Sequence, residues 1–575
     1  MSGFNVLHQF RRPDEPPFRA EDRAHVTILF GGLTWKHERM IQSILRRNGL
    51  QCQRLPTPDR CAHEIGKEYC SNGLCNPAYF TIGSLIEYLR SLEPAQTREE
   101  IVRNYAFFTA GSNGPCRFGM YEAEFRAALN AAGYNGFRLL TFQQDHGVNA
   151  SSGQSGFQFS VDFGMDALHA FILGDVLNYL HHRLRPYELQ EGDSERMMEV
   201  LASDAGLYLE TTKRFEFSES APEILRPFLE RHRAARAYRV SNTTGKILTH
   251  LYGRKLRASL GKCRERMNRM EVDWLRVKPV VKVIGEFWAQ QTEGDGNYQM
   301  FQFLEKEGAE VSVEPISNWV LYLLNQANQR GIVRSRLLPH QAPWSKPVTA
   351  FRARLSHWLK RCMFAAGKGI YQGHYARLEK ALLGASHPLP SQLEIAALAN
   401  PYYSSSLRGG EGHLEVGKNL YYTTHQLCHM VLAVKPFGCL PSLQSDAVQA
   451  GLAERFPEMV FLAVETAAEG EVHAYSRVQM ALAEARVKAQ NEFETALRSA
   501  RQPLEEIRRF VSQHPELRSP LFRVTRRSGV VSTAANFVLD VDELMSGSGD
   551  RGSISRRDPA PGSLRSEPGP SHQEA

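Results

Sequence analysis

The sequence predicts an α/β fold with two doubly wound parallel-sheet lobes, a basic helical insertion between them and a disordered C-terminal tail. Three observations carry this. From about residue 25 to 189, short apolar runs that end in glycine alternate with segments of helical spacing. The same alternation returns from about 279 to 505. Between them, residues 190–278 keep helical spacing, carry many arginines and lack strand signals. With 575 residues, 42% hydrophobic and 23% charged, the chain has enough apolar material for several packed cores.

Residues 1–24 read as an N-terminal arm without the apolar run of a signal peptide. "HVTILFGG" (25–32) is a strand entering a glycine turn, and "KHERMIQSILRRNG" (36–49) is a helix stopped by glycine. "NYAFFTAG" (104–111) is the next strand, "CRFGMYEAEFRAALNAAG" (116–133) a helix and "FRLLTF" (137–142) a strand. The stretch "ALHAFILGDVLNYL" (167–180) is too short to span a bilayer and contains an aspartate. In the second lobe, "PVVKVIGEF" (279–287), "AEVSVEPI" (309–316) and "MVFLAVET" (459–466) read as strands. "NYQMFQFLEKEG" (297–308), "NWVLYLLNQAN" (318–328) and the long segment 474–500 read as helices. Residues 506–545 form an extension. Residues 546–575, rich in Gly, Ser, Pro and charge, form the tail. Its "GSGDRG" matches a dinucleotide fingerprint in letters only, since no strand precedes it and no helix follows.

Nine cysteines without an export signal point to a reducing cytoplasm and to metal or redox chemistry rather than a disulfide framework. Four of them stand in loops framed by Gly or Pro: Cys70 and Cys75 in "EYCSNGLCNPAYFTIG", Cys116 in "AGSNGPCRFGMY" and Cys439 in "VKPFGCLPSLQSD". Cys116 follows a strand and opens a helix, a position that favours thiolate. Gly114, Gly119 and Gly438 leave room, and backbone N–H groups, for a bulky inorganic cluster. Each thiol alone is an ordinary core residue; the pattern of framed loops singles these out. Cys52, Cys263 and Cys362 lie in strand or helix patterns, and Cys61 nine residues before Cys70 is the remaining, poorer candidate. Zinc is the chemical rival, although paired C-x2-C motifs are missing. His425, Cys428 and His429 in "THQLCHM" fall in a helical pattern and read as structural.

The segments "CSNGLCNPAYFTIGSLIEYL", "TAGSNGPCRFGMY", "VKPFGCLPSLQSD" and "VETAAEGEVHAYSRVQMALAEA" resemble the iron–sulfur proteins related to 2-hydroxyglutaryl-CoA dehydratase and benzoyl-CoA reductase. They are most similar to the dehydratase-like region of CoA-substrate enzyme activase proteins. The resemblance covers most of residues 25–505. It implies a 4Fe-4S cluster, or a larger assembly, held by Cys75, Cys116 and Cys439, with Cys70 as a candidate fourth ligand. It further implies one-electron transfer to a small or CoA-linked substrate, with a separate ATP-dependent reductase of actin/Hsp70-type fold as partner, because this chain carries no P-loop and no such ATPase module. The basic insertion and the C-terminal extension depart from the pattern. They leave two other readings: a non-enzymatic electron relay, and a zinc-stabilised scaffold.

Glu286, at the end of the strand run "PVVKVIGE" (279–286), is a cleft candidate because ligands of α/β sheets bind at strand carboxyl ends. Glu469, Glu471, His473 and Arg477, near a helix start, are candidates for the same cleft. The arginines of the insertion, among them Arg226, Arg236, Arg254 and Arg264, read first as a solvated face. Coenzyme A phosphates come second; nucleic acid comes last, since aromatic residues are sparse there.

Overall fold

The computed structural model describes residues 16–111, 116–143, 147–148, 160–341, 347–384, 389–407, 410–467 and 469–547. Two sheets organise it. The first contains β1 (Thr27–Phe30), β2 (Gln51–Arg54), β3 (Tyr105–Gly111), β4 (Arg138–Gln143) and β5 (Gly147–Val148), in the order β2-β1-β3-β4-β5. All pairs are parallel except the two-residue β5, which runs antiparallel to β4. The second contains β6 (Val280–Gly285), β7 (Glu310–Val313), β8 (Met430–Pro436) and β9 (Phe461–Thr466), all parallel, in the order β7-β6-β8-β9.

In both sheets the second strand in sequence lies outside the first, and the third lies on the other side. The order therefore reverses between β1 and β3, and again between β6 and β8. At such reversals the connections leave on opposite faces and open a crevice at the strands' carboxyl ends.

The buried runs explain the strands: every residue of β6 and β8 is buried, as parallel strands covered on both faces require. β8 was not legible. The helix Gly412–Thr424 stops at His425, Gln426 takes a left-handed turn (φ 49°), and Cys428 and His429 lead directly into the strand. The helical reading of "THQLCHM" is corrected accordingly.

Helices α1 (Trp35–Arg47), α2 (Arg60–Tyr69), α3 (Asn76–Leu92), α4 (Arg98–Asn104) and α5 (Tyr121–Ala131) connect the first strands. Helices α6 (Val161–Leu184) and α7 (Asp193–Thr211) follow. The largest apolar core joins Met40 of α1, Leu173 and Leu177 of α6, and Met198 and Leu201 of α7 with Cys263, Tyr375 and Phe537. The first helix of the expected insertion is thus lobe core, and so is the helix Thr533–Met545 of the extension. The arginines at 226, 231, 233, 236, 254, 257, 264 and 266 are all exposed, as a solvated face requires. No described helix is long and apolar enough to cross a membrane.

One close approach sets the site. α2 and α3 cross with backbone against backbone: a Cβ on Gly66 would stand 1.9 Å from the Tyr79 carbonyl oxygen, and one on Gly83 1.7 Å from that of Ala62. The crossing fixes the short turn 70–75 that joins the two helices. Replacing Gly83 with Ala must push the helices apart. Gly83→Ala should therefore cost roughly 2–4 kcal/mol of stability in urea unfolding. A variant as stable as the parent would show that the crossing is loose.

Candidate metal centre in the interlobe cleft

Three of the expected cysteines open helices. Cys75 is the N-cap of α3, with Pro77 in the first turn. Cys116 caps the 3-10 turn Arg117–Met120 that leads into α5. Cys439 caps the helix Leu440–Arg455, with Pro441 in its first turn. Each sulfur therefore lies by a backbone N–H group of its own helix start, from Ala78, Phe118 and Ser442 respectively, the Ala78 amide also donating to the Cys75 carbonyl (3.0 Å).

Their loops meet across the lobes. The Asn76 amide donates to the Phe437 carbonyl (3.4 Å), and the Arg117 guanidinium donates to the Gly73 carbonyl. Gly438, at φ 77°, lies so close that a Cβ there would stand 3.8 Å from the Cys75 Cα. The left-handed turn at Gly438 carries the chain from β8 into the Cys439 helix beside Cys75. Gly119 is exposed, and its amide closes the turn onto the Cys116 carbonyl (3.3 Å). Gly114 lies outside the described residues.

Glu286 sits at the centre. It follows Gly285, whose φ of 128° and whose 1.9 Å Cβ clearance to the Val434 carbonyl leave no side chain but hydrogen between β6 and β8. The half-buried carboxylate accepts from the Ala289 amide (2.9 Å). Its charge acts on Cys75, Cys116 and Cys439 alike, and Cys75 and Cys116 act on one another.

Burial is the largest influence on all three thiols. It pushes Cys116 up to about 12 and raises Cys75 and Cys439, against the weaker pull of the facing amides. Cys75 Sγ and the buried Tyr121 hydroxyl lie 2.9 Å apart. Among the described residues no three of these sulfurs lie within 4.8 Å of one another.

Two buried glutamates complete the wall. Glu411, at the start of the helix Gly412–Thr424, has no hydrogen-bond partner of ordinary geometry on either carboxylate oxygen. Burial pushes it up to about 8, opposed by Lys418 and reinforced by Glu286 and Glu415. Burial likewise lifts Glu286 to about 7. Glu415 is satisfied by the Ser442 hydroxyl (2.6 Å) and by that of Ser445. Glu411 and Glu415 were missed from sequence; "GGEGH" at 409–413, a glutamate between glycines, was the available signal.

Cys70 stands apart. It ends α2 rather than opening a helix, packs in the first-lobe core, and feels Glu124 rather than Glu286. Glu469, Glu471 and His473 are exposed; Glu471 accepts from the Tyr475 hydroxyl (2.7 Å). Arg477 is exposed and donates to the Ala463 carbonyl, at the edge of the cleft where it faces Lys435. His425 pairs with Glu394 (3.1 Å). His429 pairs with Glu492 (3.3 Å) and accepts from the Val280 amide. These histidines therefore do not form a site with Cys428.

Comparison with known protein families, curated proteins and solved structures finds no match to this chain.

The raised carboxyls give a pH test on metal-free protein. Glu411 binds its proton more tightly folded (about 8) than unfolded (~4.3). Its contribution is intact below the unfolded value and is lost as pH rises through the folded one. Glu411→Gln should therefore melt a few degrees above the parent at pH ~8 and level with it at pH ~4.5. Parallel melting curves across that range would refute the assignment.

Proposed function

We propose that this chain is an iron–sulfur redox protein whose cluster is held by Cys75, Cys116 and Cys439 in the interlobe cleft. One observation carries the reading. Three cysteines that each open a helical segment, on two lobes, stand in loops that touch: Asn76 bonds Phe437 (3.4 Å), Gly438 lies against Cys75, and Arg117 bonds Gly73. The donor set fits a cationic inorganic core. Thiols and carboxyls held protonated by burial are exchangeable for such a core, and the oxygens of Glu411 have no hydrogen-bond partner of ordinary geometry. Bound there, the cluster would supply one-electron transfer. The chain's own residues would hold it through sulfur, shield it with Tyr121 and leave Glu286 and Glu411 as proton-carrying groups beside it.

The resemblance to 2-hydroxyacyl-CoA dehydratase components extends the reading to a small or CoA-linked substrate and to a separate ATP-dependent reductase chain. The position of Cys70 bears on enzyme against relay. Three thiols leave one coordination position for a non-cysteine ligand, which favours an enzyme component over a fully ligated electron carrier.

The test is anaerobic purification with iron supplied, followed by iron and sulfide analysis. The protein should be brown and bleach on reduction. Cys75→Ser, Cys116→Ser and Cys439→Ser should each lose most of the visible absorbance, while Cys70→Ser and Cys263→Ser keep it. A colourless chain holding about one zinc, bound through the same cysteines, would replace this reading with a structural metal knuckle.

A further inference from the structure

A second donor cluster lies away from the cysteines, where α6 meets the helices Arg236–Tyr252 and Pro347–Leu383. Asp166 and His169 stand three residues apart on one face of α6, and His250 faces them from the insertion. One ligand atom from each lies within 4.8 Å of the other two. The ring of His374 lies 4.9 Å from that of His169, and the His250 ring 5.4 Å from it on another side.

The hydrogen bonds leave the donors free in a specific way. His250 presents Nε2 to Asp162 (3.3 Å), which leaves Nδ1 toward Asp166 (3.7 Å). The His250 carbonyl faces the His169 ring as an acceptor, and His169 Nε2 has no partner. Asp166 accepts from Arg47 on Oδ1 (2.8 Å), while its Oδ2 is buried and unpartnered. Neither ring nitrogen of the buried His374 has a hydrogen-bond partner of ordinary geometry, and the Leu251 carbonyl lies beside the ring. Holding one ring nitrogen on an oxygen while the other waits is how metal-ligating histidines are oriented. Leaving so many polar atoms dry and unpaired costs free energy that a bound ion offsets.

We propose that Asp166, His169 and His250 form a divalent-metal site of zinc type, with His374 positioned to complete it, that pins the helical insertion to the first lobe. Nitrogen and carboxylate donors without sulfur suit zinc and related first-row ions. A cavity of about 30 Å³ bordered by His250, His374 and Arg377 adjoins the cluster. Asp162 and Asp166 supply negative charge, and Arg47, Arg214, Lys246 and Arg377 limit it. These cations outnumber the two carboxylates, so an ion would be held by direct ligation through one carboxylate and the imidazoles, not by the surrounding field. The site links α6 to a helix whose outer face is otherwise solvated, which gives it a structural rather than a catalytic role.

The experiment is metal analysis of the purified full-length chain, then chelation and titration with Co²⁺. About one zinc per chain should be present in addition to any iron. Co²⁺ should enter with the visible bands of nitrogen and oxygen ligation, and without thiolate charge transfer. Asp166→Asn and His169→Gln should abolish that uptake, while Cys75→Ser leaves it unchanged. Chelation alone should lower the melting temperature of the parent, and zinc should restore it. Should the variants fail to fold, this reversible shift in the parent decides. A chain that takes up no Co²⁺ outside its thiols, or one whose melting ignores chelator, overturns the proposal, as does uptake that survives both substitutions.

Discussion

The cleft is built around groups that resist burial as anions. Burial raises the proton affinity of three thiols and of the carboxyls of Glu286 and Glu411, and Glu286 raises that of the three thiols and of Glu411 further. Lys418 and Lys435 stand at its margin but are engaged elsewhere: Lys418 faces Glu314 (3.7 Å), and Lys435 is tied to Asp446. The protein side alone therefore keeps the cleft neutral by protonation. A cationic occupant reverses every one of these preferences at once, because thiolate and carboxylate become the favoured forms beside it.

This arrangement exists only because the two lobes are locked together. Trp288, two residues after Glu286, packs on Phe80 of the first lobe (5.6 Å between centroids) and fills the space left by Gly296. Lys36, fully buried at the start of α1, pairs with Glu293 across the interface (2.8 Å). His37 bonds Asp175 (3.1 Å), and Asp175 in turn accepts from the first amides of the helix Ile316–Gln341, at Ile316 and Ser317. A carboxylate on those amides satisfies a helix N-terminus inside the protein. Removing one partner of such a buried pair leaves the other charge unpaired, so the lobes are held in one register. That register brings the turn at Gly438 against Cys75.

Local signals in the sequence carried most of the fold, because parallel strands buried on both faces are apolar runs and their exits are glycines. "HVTILFGG", "NYAFFTAG" and "PVVKVIGEF" all appear as strands. β8 escaped because its lead-in, Leu427–His429, continues the helical spacing of the preceding segment; only the left-handed turn at Gln426 separates them. At the site, the framed cysteine loops were legible, with Cys75 set ahead of Cys70, which stood as a candidate fourth ligand. The deciding feature was local. Asn76-Pro77 after Cys75 starts a helix and places that thiol at a helix N-terminus, whereas Cys70 closes a helix; both are buried. Glu411 and Glu415 were out of reach, since their surroundings come from other segments: Glu286 beside Glu411 from the end of strand β6, and Ser442 and Ser445 against Glu415 from the helix after β8.

On the reading proposed for the cleft, the same carboxyls tie electron transfer to proton count. An electron delivered to a buried centre adds negative charge where no spare cation can move in. Glu286, which burial pushes up to about 7 without a cluster and which is only half-buried, is the group placed to take up a compensating proton; Glu411, pushed up to about 8 without a cluster, is buried. The extra negative charge would raise the proton affinity of both further. The site's potential should then become more pH-dependent where Glu286 titrates, and replacing Glu286 by Gln should flatten that dependence while the three thiols keep the cluster in place. A potential that ignores pH between about 6 and 8 in the parent would mean that Glu286 does not sense the electron, and that its place among the thiols is structural.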